Sequence, residues 1–409
     1  MDPIRPAQPE TPARGTALYV HLPFCAAKCH YCDFFSIAVD GPHLPQVDRL
    51  VDAVLGEAAR RLPPDRALAP RTVFIGGGTP SLLSAPQLRR LIDGLADLTG
   101  FRDSAVEVTA ECNPESLDRD KALCLLDLGV NRLSIGFQSL RDEILKVFGR
   151  VHEVEDSFRA FEAARSAGVT DLNVDMIFAA PGQRPEEWSE DLGRVLDLAP
   201  DHLSAYNLAF EEDTLFKRWL DQGKLERLPE ETELAMFEAT REALTGRGYG
   251  GYEVSNFSLP GRQCAHNINY WHNGDYLGMG PSAVSKLGWR RFGNLKALEA
   301  YRRQAGSPEG TEAWTETLEP AARLGETWWL GLRLMEGVEP REAQDRSGAP
   351  EASALAALEL AARMQGLGLL EFVGGRYRLT PQGLPVADGV AREFLDLART
   401  AQGSTGPLG

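Results

Sequence analysis

Between Ala17 and about Asn256 the chain alternates two hydrophobic patterns. Short apolar runs read as strands: "ALYVHL" (17–22), "TVFI" (72–75), "VEVTAE" (106–111), "RLSIGF" (132–137), "NVDMIF" (173–178) and "HLSAYNL" (202–208). The stretches between them carry apolar residues three and four positions apart. In "SAPQLRRLIDGLADL", Leu88, Leu91, Ile92 and Leu95 mark one helical face, and Ser84 with Gln87 forms a capping box. Strand and helix repeated about six times predict an α/β fold, a parallel sheet covered by helices. Periodicity alone leaves open whether the sheet closes into a barrel. Each run ends in polar or glycine-rich residues: "GGGTPS", "ECNP", "QS" and "APGQ", with His21 and Cys25 after the first. Parallel α/β folds assemble their sites at the carboxyl ends of the strands. The cysteines, glycines, Glu111, Gln138 and Asp175 are therefore expected at one mouth.

The pattern changes around residues 300–325. "RRQAGSPEGTEAW" reads as a linker, followed by Ala-, Leu- and Glu-rich helical stretches. "GLLEFVGGRYRLTPQGLPVADGVAREFL" reads as a hairpin with a Gly-Gly turn and a closing helix. This divides the chain into a tail (1–16), a core domain (17–300) and a small helical, winged C-terminal domain (310–400). Winged helices often bind DNA, but from residue 310 onward 14 acidic residues face 9 basic ones. Phosphate binding is disfavoured there, and the expected role is scaffold or partner surface. The whole chain carries a net charge of −16 and a pI near 5.0, without the broad basic footprint of a nucleic-acid binder. The opening "MDPIRPAQPETPARG" is expected to be a loose tail and neither a signal peptide nor a membrane anchor, and no apolar run is long enough to span a bilayer. A cytoplasmic location is the expectation.

Three of the six cysteines, Cys25, Cys29 and Cys32, fall within eight residues of "YVHLPFCAAKCHYCDFF". In a reducing compartment such clustering points to metal or redox chemistry rather than disulfides. Cys29 and Cys32 alone could be a redox pair, and the three thiols with His21 or His30 could be a structural zinc site. Three thiolates in a short loop can also hold three irons of a [4Fe–4S] cube, leaving the fourth iron open to a ligand such as an amino acid. Cys112, Cys124 and Cys264 are scattered and offer no local fourth thiolate. Cys112 and Cys124 read as core residues, and Cys264 as a buried inert thiol.

The C-x3-C-x2-C spacing after a first strand resembles that of radical S-adenosylmethionine (SAM) enzymes. "GGGTPS" resembles their glycine-rich segment beside the methionine part of SAM. Beyond this, "YVHLPFC", "ECNPE", "RLSIGFQSL", "GRVH", "NVDMIFAAPGQ" and "YLGMGPSAVS" occur in the order seen in the oxygen-independent coproporphyrinogen III oxidase group. The resemblance covers nearly the whole chain. It implies a (βα)6-type partial TIM barrel with a [4Fe–4S] cluster on Cys25, Cys29 and Cys32. It also implies SAM near Tyr19, Tyr31, Gly77, Gly78, Thr79, Glu111, Gln138, Arg150, Asp175, Ala209 and Val284. Glu111 suits an ammonium group, Asp175 ribose hydroxyls and Arg150 a carboxylate, and glycines allow close backbone approach. Arg150 could instead cap a helix, and Gln138 could satisfy a strand edge.

The oxidase branch of this group has a further cysteine two residues after the third. Here that position is Phe34. The departure resembles the HemW branch, whose members bind heme and deliver it to other proteins. "CAHNINYWHNGDY" contains His266-Asn267-Ile268-Asn269-Tyr270-Trp271, similar to the H-N-x-x-Y-W pattern of that branch. The resemblance implies heme binding by His266, Tyr270 and Trp271, with imidazole as an axial ligand. The plain alternatives are a hydrogen-bonded His266 packed beside aromatics, and a Cys264 thiolate competing for iron. Expected partners are heme and an apo-hemoprotein client, with no nucleic acid. A peripheral membrane contact through clients, a homodimer and SAM cleavage during transfer stay open. The alternative function is oxidative decarboxylation of coproporphyrinogen III to protoporphyrinogen IX.

Overall fold

The computed structural model describes residues 15–41, 45–62 and 68–396. The expected tail falls almost wholly outside these residues. Six parallel strands form the centre of one sheet: Ala17–Leu22, Thr72–Gly77, Glu107–Cys112, Arg132–Gln138, Leu172–Phe178 and His202–Asn207, in chain order. Each lies within two residues of its expected bounds. Helices connect them, including Ala85–Thr99, where the Ser84 amide donates to Gln87 Oε1 at 3.0 Å in the expected capping box.

The sheet extends further than the sequence pattern predicts. Tyr276–Met279 joins the first strand in parallel, and Val284–Leu287, Arg290–Asn294 and Glu312–Thr317 follow as antiparallel strands. Two short antiparallel strands, Asn256–Ser258 and Gly250–Gly251, flank the sixth strand. Among the described residues the two edge strands of this twelve-stranded sheet do not pair with each other, so it is open. The expected linker is a correction: it holds the end of helix Leu298–Gln304 and the edge strand Glu312–Thr317. Every residue of that edge strand is exposed, which removes the alternation by which strands are recognised.

The two faces of the central strands differ. Leu18, Val20, Val73, Ile75, Val108, Ala110, Leu133, Ile135, Val174 and Leu203 belong to the apolar core packed against the helices. The other face is polar and in register across the strands: Tyr19 with Phe74, His21 with Gly76, Thr72 with Glu107, Thr109 with Arg132, Glu111 with Ser134, Gly136 with Asp175, and Asn173 with His202. Burying this many polar groups is unfavourable unless they are hydrogen-bonded or meet a ligand.

The C-terminal part has its own core from Leu324 to Phe394. Helices Pro320–Gly331, Pro340–Ser347 and Glu351–Gly366 precede the hairpin Leu370–Val373/Arg376–Leu379, and helix Ala387–Leu395 closes it. Gly374 and Gly375 turn the hairpin with φ of 60° and 85°, a left-handed pair that favours glycine. No helix among the described residues is long and apolar enough to cross a membrane.

Candidate functional site

The cysteine loop leaves the first strand and is held by hydrogen bonds to distant elements. The His30 amide donates to Phe148 O at 2.9 Å, the His30 Nδ1–H to Val147 O at 2.8 Å, and the Phe216 amide to His30 O at 2.9 Å. Gly149 beside it has φ 73°, and a Cβ there would lie 2.8 Å from His30 Nε2. Beneath the loop, Tyr31 packs edge-on against Phe148, with ring centroids 5.0 Å apart. Cys25, Cys29 and Cys32 are half-buried and free. Burial pushes the Cys32 thiol up to about 11, with Cys29 next in effect.

Of the two histidines considered for zinc, His21 has both ring nitrogens engaged, while His30 engages its Nδ1. His21 Nδ1 accepts from Tyr19 OH at 2.9 Å and its Nε2–H donates to Phe35 O at 2.8 Å. Among the described residues no three His, Cys, Asp or Glu side chains converge on one ion. A cube takes its thiolates at separate corners, so half-buried free thiols spread along one loop suit it.

The strand ends bring most of the expected SAM residues together. Gly77 donates its amide to Glu111 Oε2 at 2.9 Å. Burial raises the Glu111 pKa to about 7; the Gly77 amide opposes this and the nearby Asp175 adds to it. Asp175 accepts from Ser134 Oγ at 2.7 Å and Asn173 Nδ2 at 2.9 Å, which leaves lone pairs on both oxygens. Gln138 sits at a register irregularity with φ 67°, its amide folded over Gly136. The Arg150 guanidinium donates to Asn113 Oδ1 at 2.8 Å, to Gly136 O at 3.1 Å and to Cys29 Sγ at 3.5 Å. It thus ties the cysteine loop to two strand ends and caps no helix. Buried Thr79 accepts from Asn113 Nδ2 at 2.9 Å. Asn113 is the residue that sequence reasoning missed; its place two positions after Glu111 was the available signal.

Gly78 and Ala209 differ from the other expected residues in their surroundings. Gly78 was expected to admit the ligand, but a Cβ there would lie 2.5 Å from Leu22 O and 2.7 Å from Phe24 O. Its lack of a side chain serves the protein's own backbone. Ala209 is exposed, two residues beyond the sixth strand.

A cavity of about 540 Å³ adjoins this region. Tyr19, Phe34, Phe35, Tyr270, Trp271 and Val284 line one part of it. Lys286 and Arg291 line another, and helix Pro320–Gly331 closes it with Glu326, Trp329 and Leu330. Phe34, at the position that distinguishes the two branches, is 61% exposed on this wall.

His266 does not line the cavity. Helix Ala265–Trp271 fills the opposite end of the polar lumen, beside the starts of the strands. His266 is 1% exposed and stacks on Phe74 at 5.3 Å. Its Nδ1 is bonded to Thr72 Oγ1 at 2.8 Å and its Nε2 to Tyr270 OH at 2.9 Å. Burial lowers its pKa to about 3, so the ring is neutral. The helix start is held by Glu107, which accepts from the amides of Ala265 at 2.6 Å and His266 at 3.0 Å and from Cys264 Sγ at 3.3 Å. Burial pushes the Cys264 thiol up to about 12, as expected of an inert thiol.

Comparison with known proteins agrees with this geometry. Residues 19–195 match the radical SAM superfamily model and residues 318–386 the HemN C-terminal domain model. The fold superposes on coproporphyrinogen III oxidase (HemN) from Escherichia coli with a TM-score of 0.79 at 27% identity, covering 93% of this chain and 90% of that one. The chain is thus a radical SAM protein. It is 32% identical to heme chaperone HemW of Bacillus subtilis over 81% of this chain and 86% of that one. It is 39% identical to heme chaperone HemW of Escherichia coli over 66% of this chain and 70% of that one. It belongs to the HemW family.

Proposed function

We propose that this protein is a cytoplasmic heme chaperone, which binds heme and passes it to apo-hemoproteins. The observation that carries the reading is Phe34, an exposed aromatic on the cavity wall where the oxidase branch has a cysteine. The cavity joins aromatic surface to a few polar groups, as sites for large flat ligands do. HemW membership supports the same reading.

Cys25, Cys29 and Cys32 would hold a [4Fe–4S] cluster, which supplies an open iron and one-electron chemistry. Arg150 would hold Cys29 in place, and Asn113 would fix Arg150. Glu111 and Asp175 would orient SAM by its ammonium and ribose groups, with Gln138 and Thr79 shaping the same mouth. Tyr270 and Trp271 would support the porphyrin face. For His266 to reach heme iron, its bonds to Thr72 and Tyr270 must break, at a cost on the order of 1 kcal/mol each. No decarboxylation of coproporphyrinogen is expected.

The test uses one anaerobic preparation with reconstituted cluster, SAM and reductant. Heme is offered together with an apo-hemoprotein, and coproporphyrinogen III is offered separately. Heme transfer without protoporphyrinogen formation supports the reading. Multiple-turnover decarboxylation with no heme bound replaces it with the oxidase.

A further inference from the structure

Lys286 and Arg291 stand directly opposite each other on neighbouring antiparallel strands, and both line the cavity. Like charges placed so are mutually destabilising unless an anion lies between them. One anion that acts on both is Glu326, brought from the C-terminal helix Pro320–Gly331. Its Oε2 accepts from Arg291 Nη2 at 2.5 Å, and its charge also acts on Lys286. Glu326 and Lys286 are both buried. The other groups around this pair are Glu316, 3.0 Å from Arg291 Nε, Asp275, 3.6 Å from Lys286 Nζ, and the cation Arg346. Lys286 Nζ also donates to Asn273 O at 2.8 Å.

We propose that Lys286 and Arg291 form a carboxylate subsite for the propionate side chains of a porphyrin, with Glu326 as the internal carboxylate that fills it when no ligand is bound. This rests on the heme reading above. The aromatic wall of the same cavity takes the ring while the cationic end takes an acid group. Arginine matches carboxylate geometry with two parallel donors. A propionate that displaces Glu326 also removes an ion pair joining the C-terminal helix to the sheet. Ring binding and loosening of that helix are therefore linked.

The same chemistry could serve the amino-acid carboxylate of SAM, so the experiment separates the two. Ferric heme, ferric heme dimethyl ester and SAM are titrated in turn against the full-length, cluster-loaded protein. In the wild type, heme binds more tightly than its diester. In Lys286→Met the heme affinity falls about tenfold while diester and SAM affinities stay unchanged. Glu326→Gln, which weakens the internal competitor, raises heme affinity. Because Arg291→Met would strand a buried Glu326, the paired Arg291→Gln/Glu326→Gln variant replaces it, and its preference for heme over the diester should shrink. Equal loss of heme and diester in Lys286→Met, or loss of SAM alone, overturns the subsite. So does equal wild-type affinity for heme and diester. If the wild type binds neither porphyrin, the heme reading falls and the subsite falls with it.

Discussion

The two ends of the polar lumen carry the two motifs most visible in the sequence, and they are built differently. At the carboxyl ends of the strands, the thiols of the cysteine loop are free and half-buried, and Glu111 and Asp175 keep lone pairs for a ligand. At the opposite end, the H-N-I-N-Y-W helix is a plug: both nitrogens of His266 are bonded and Glu107 holds its start. Both ends have the residue types of a binding site. The first presents carboxylate lone pairs to a newcomer, whereas the imidazole of the plug is already bonded at both nitrogens. Residue type sets what chemistry is possible; the state of the hydrogen bonds sets what is on offer.

The sharpest test of this contrast is Cys29→Ala. It should abolish cluster absorbance in anaerobically prepared protein while far-UV circular dichroism stays near wild type. Collapse of the fold would show that the loop is a structural element like the plug. Glu107→Ala should do the reverse. It removes the acceptor of two helix amides and a buried charge beside Arg132, so chemical denaturation should reveal a loss of roughly 3 kcal/mol. Cluster content should stay unchanged. A neutral effect would mean the plug does not depend on its anchor.

Glu111 gives a smaller, pH-dependent effect. Its folded pKa of about 7 lies above the ordinary 4.5, so the native state holds this proton more tightly than the unfolded chain. The contribution to ligand-free stability is therefore present at low pH and lost between about 4.5 and 7. SAM affinity should move the opposite way, since its ammonium needs the ionised carboxylate, rising through that range and levelling above it. In Glu111→Gln both profiles should flatten, and SAM should bind about tenfold more weakly at pH 8. Calorimetry across pH checks this, and an unchanged slope in the variant would remove Glu111 from the site. The smallest effect belongs to Tyr270→Phe, which removes one of the two bonds on His266 and should cost about 1 kcal/mol. If His266 becomes the iron ligand, this variant should also take up heme faster in stopped-flow mixing. An unchanged rate would count against His266.

The sequence disclosed those parts whose cause is local. The six central strands were legible because each is an apolar run bounded by polar turns, and the cysteine loop because its spacing is chemistry written within eight residues. The strands from Tyr276 onward were not legible. "VSKL", "RRFGN" and "EAWTET" are short and charged, and take their strand form from the neighbour they pair with. Glu107 and Arg150 act on residues more than a hundred positions away in sequence. His266 was legible as a motif, but its burial depends on Thr72 and Phe74, which no local pattern connects to it.

The cysteine loop is held by hydrogen bonds to Val147, Phe148 and Phe216. In small zinc domains the bare chain is unfolded and the metal supplies the folding energy. Here the chain itself supplies the bonds that hold the loop. If a cluster is bound there, a molecule stripped of it by oxygen should remain folded and open to reloading. Oxidative damage then costs the cell a cofactor and spares it a new round of synthesis.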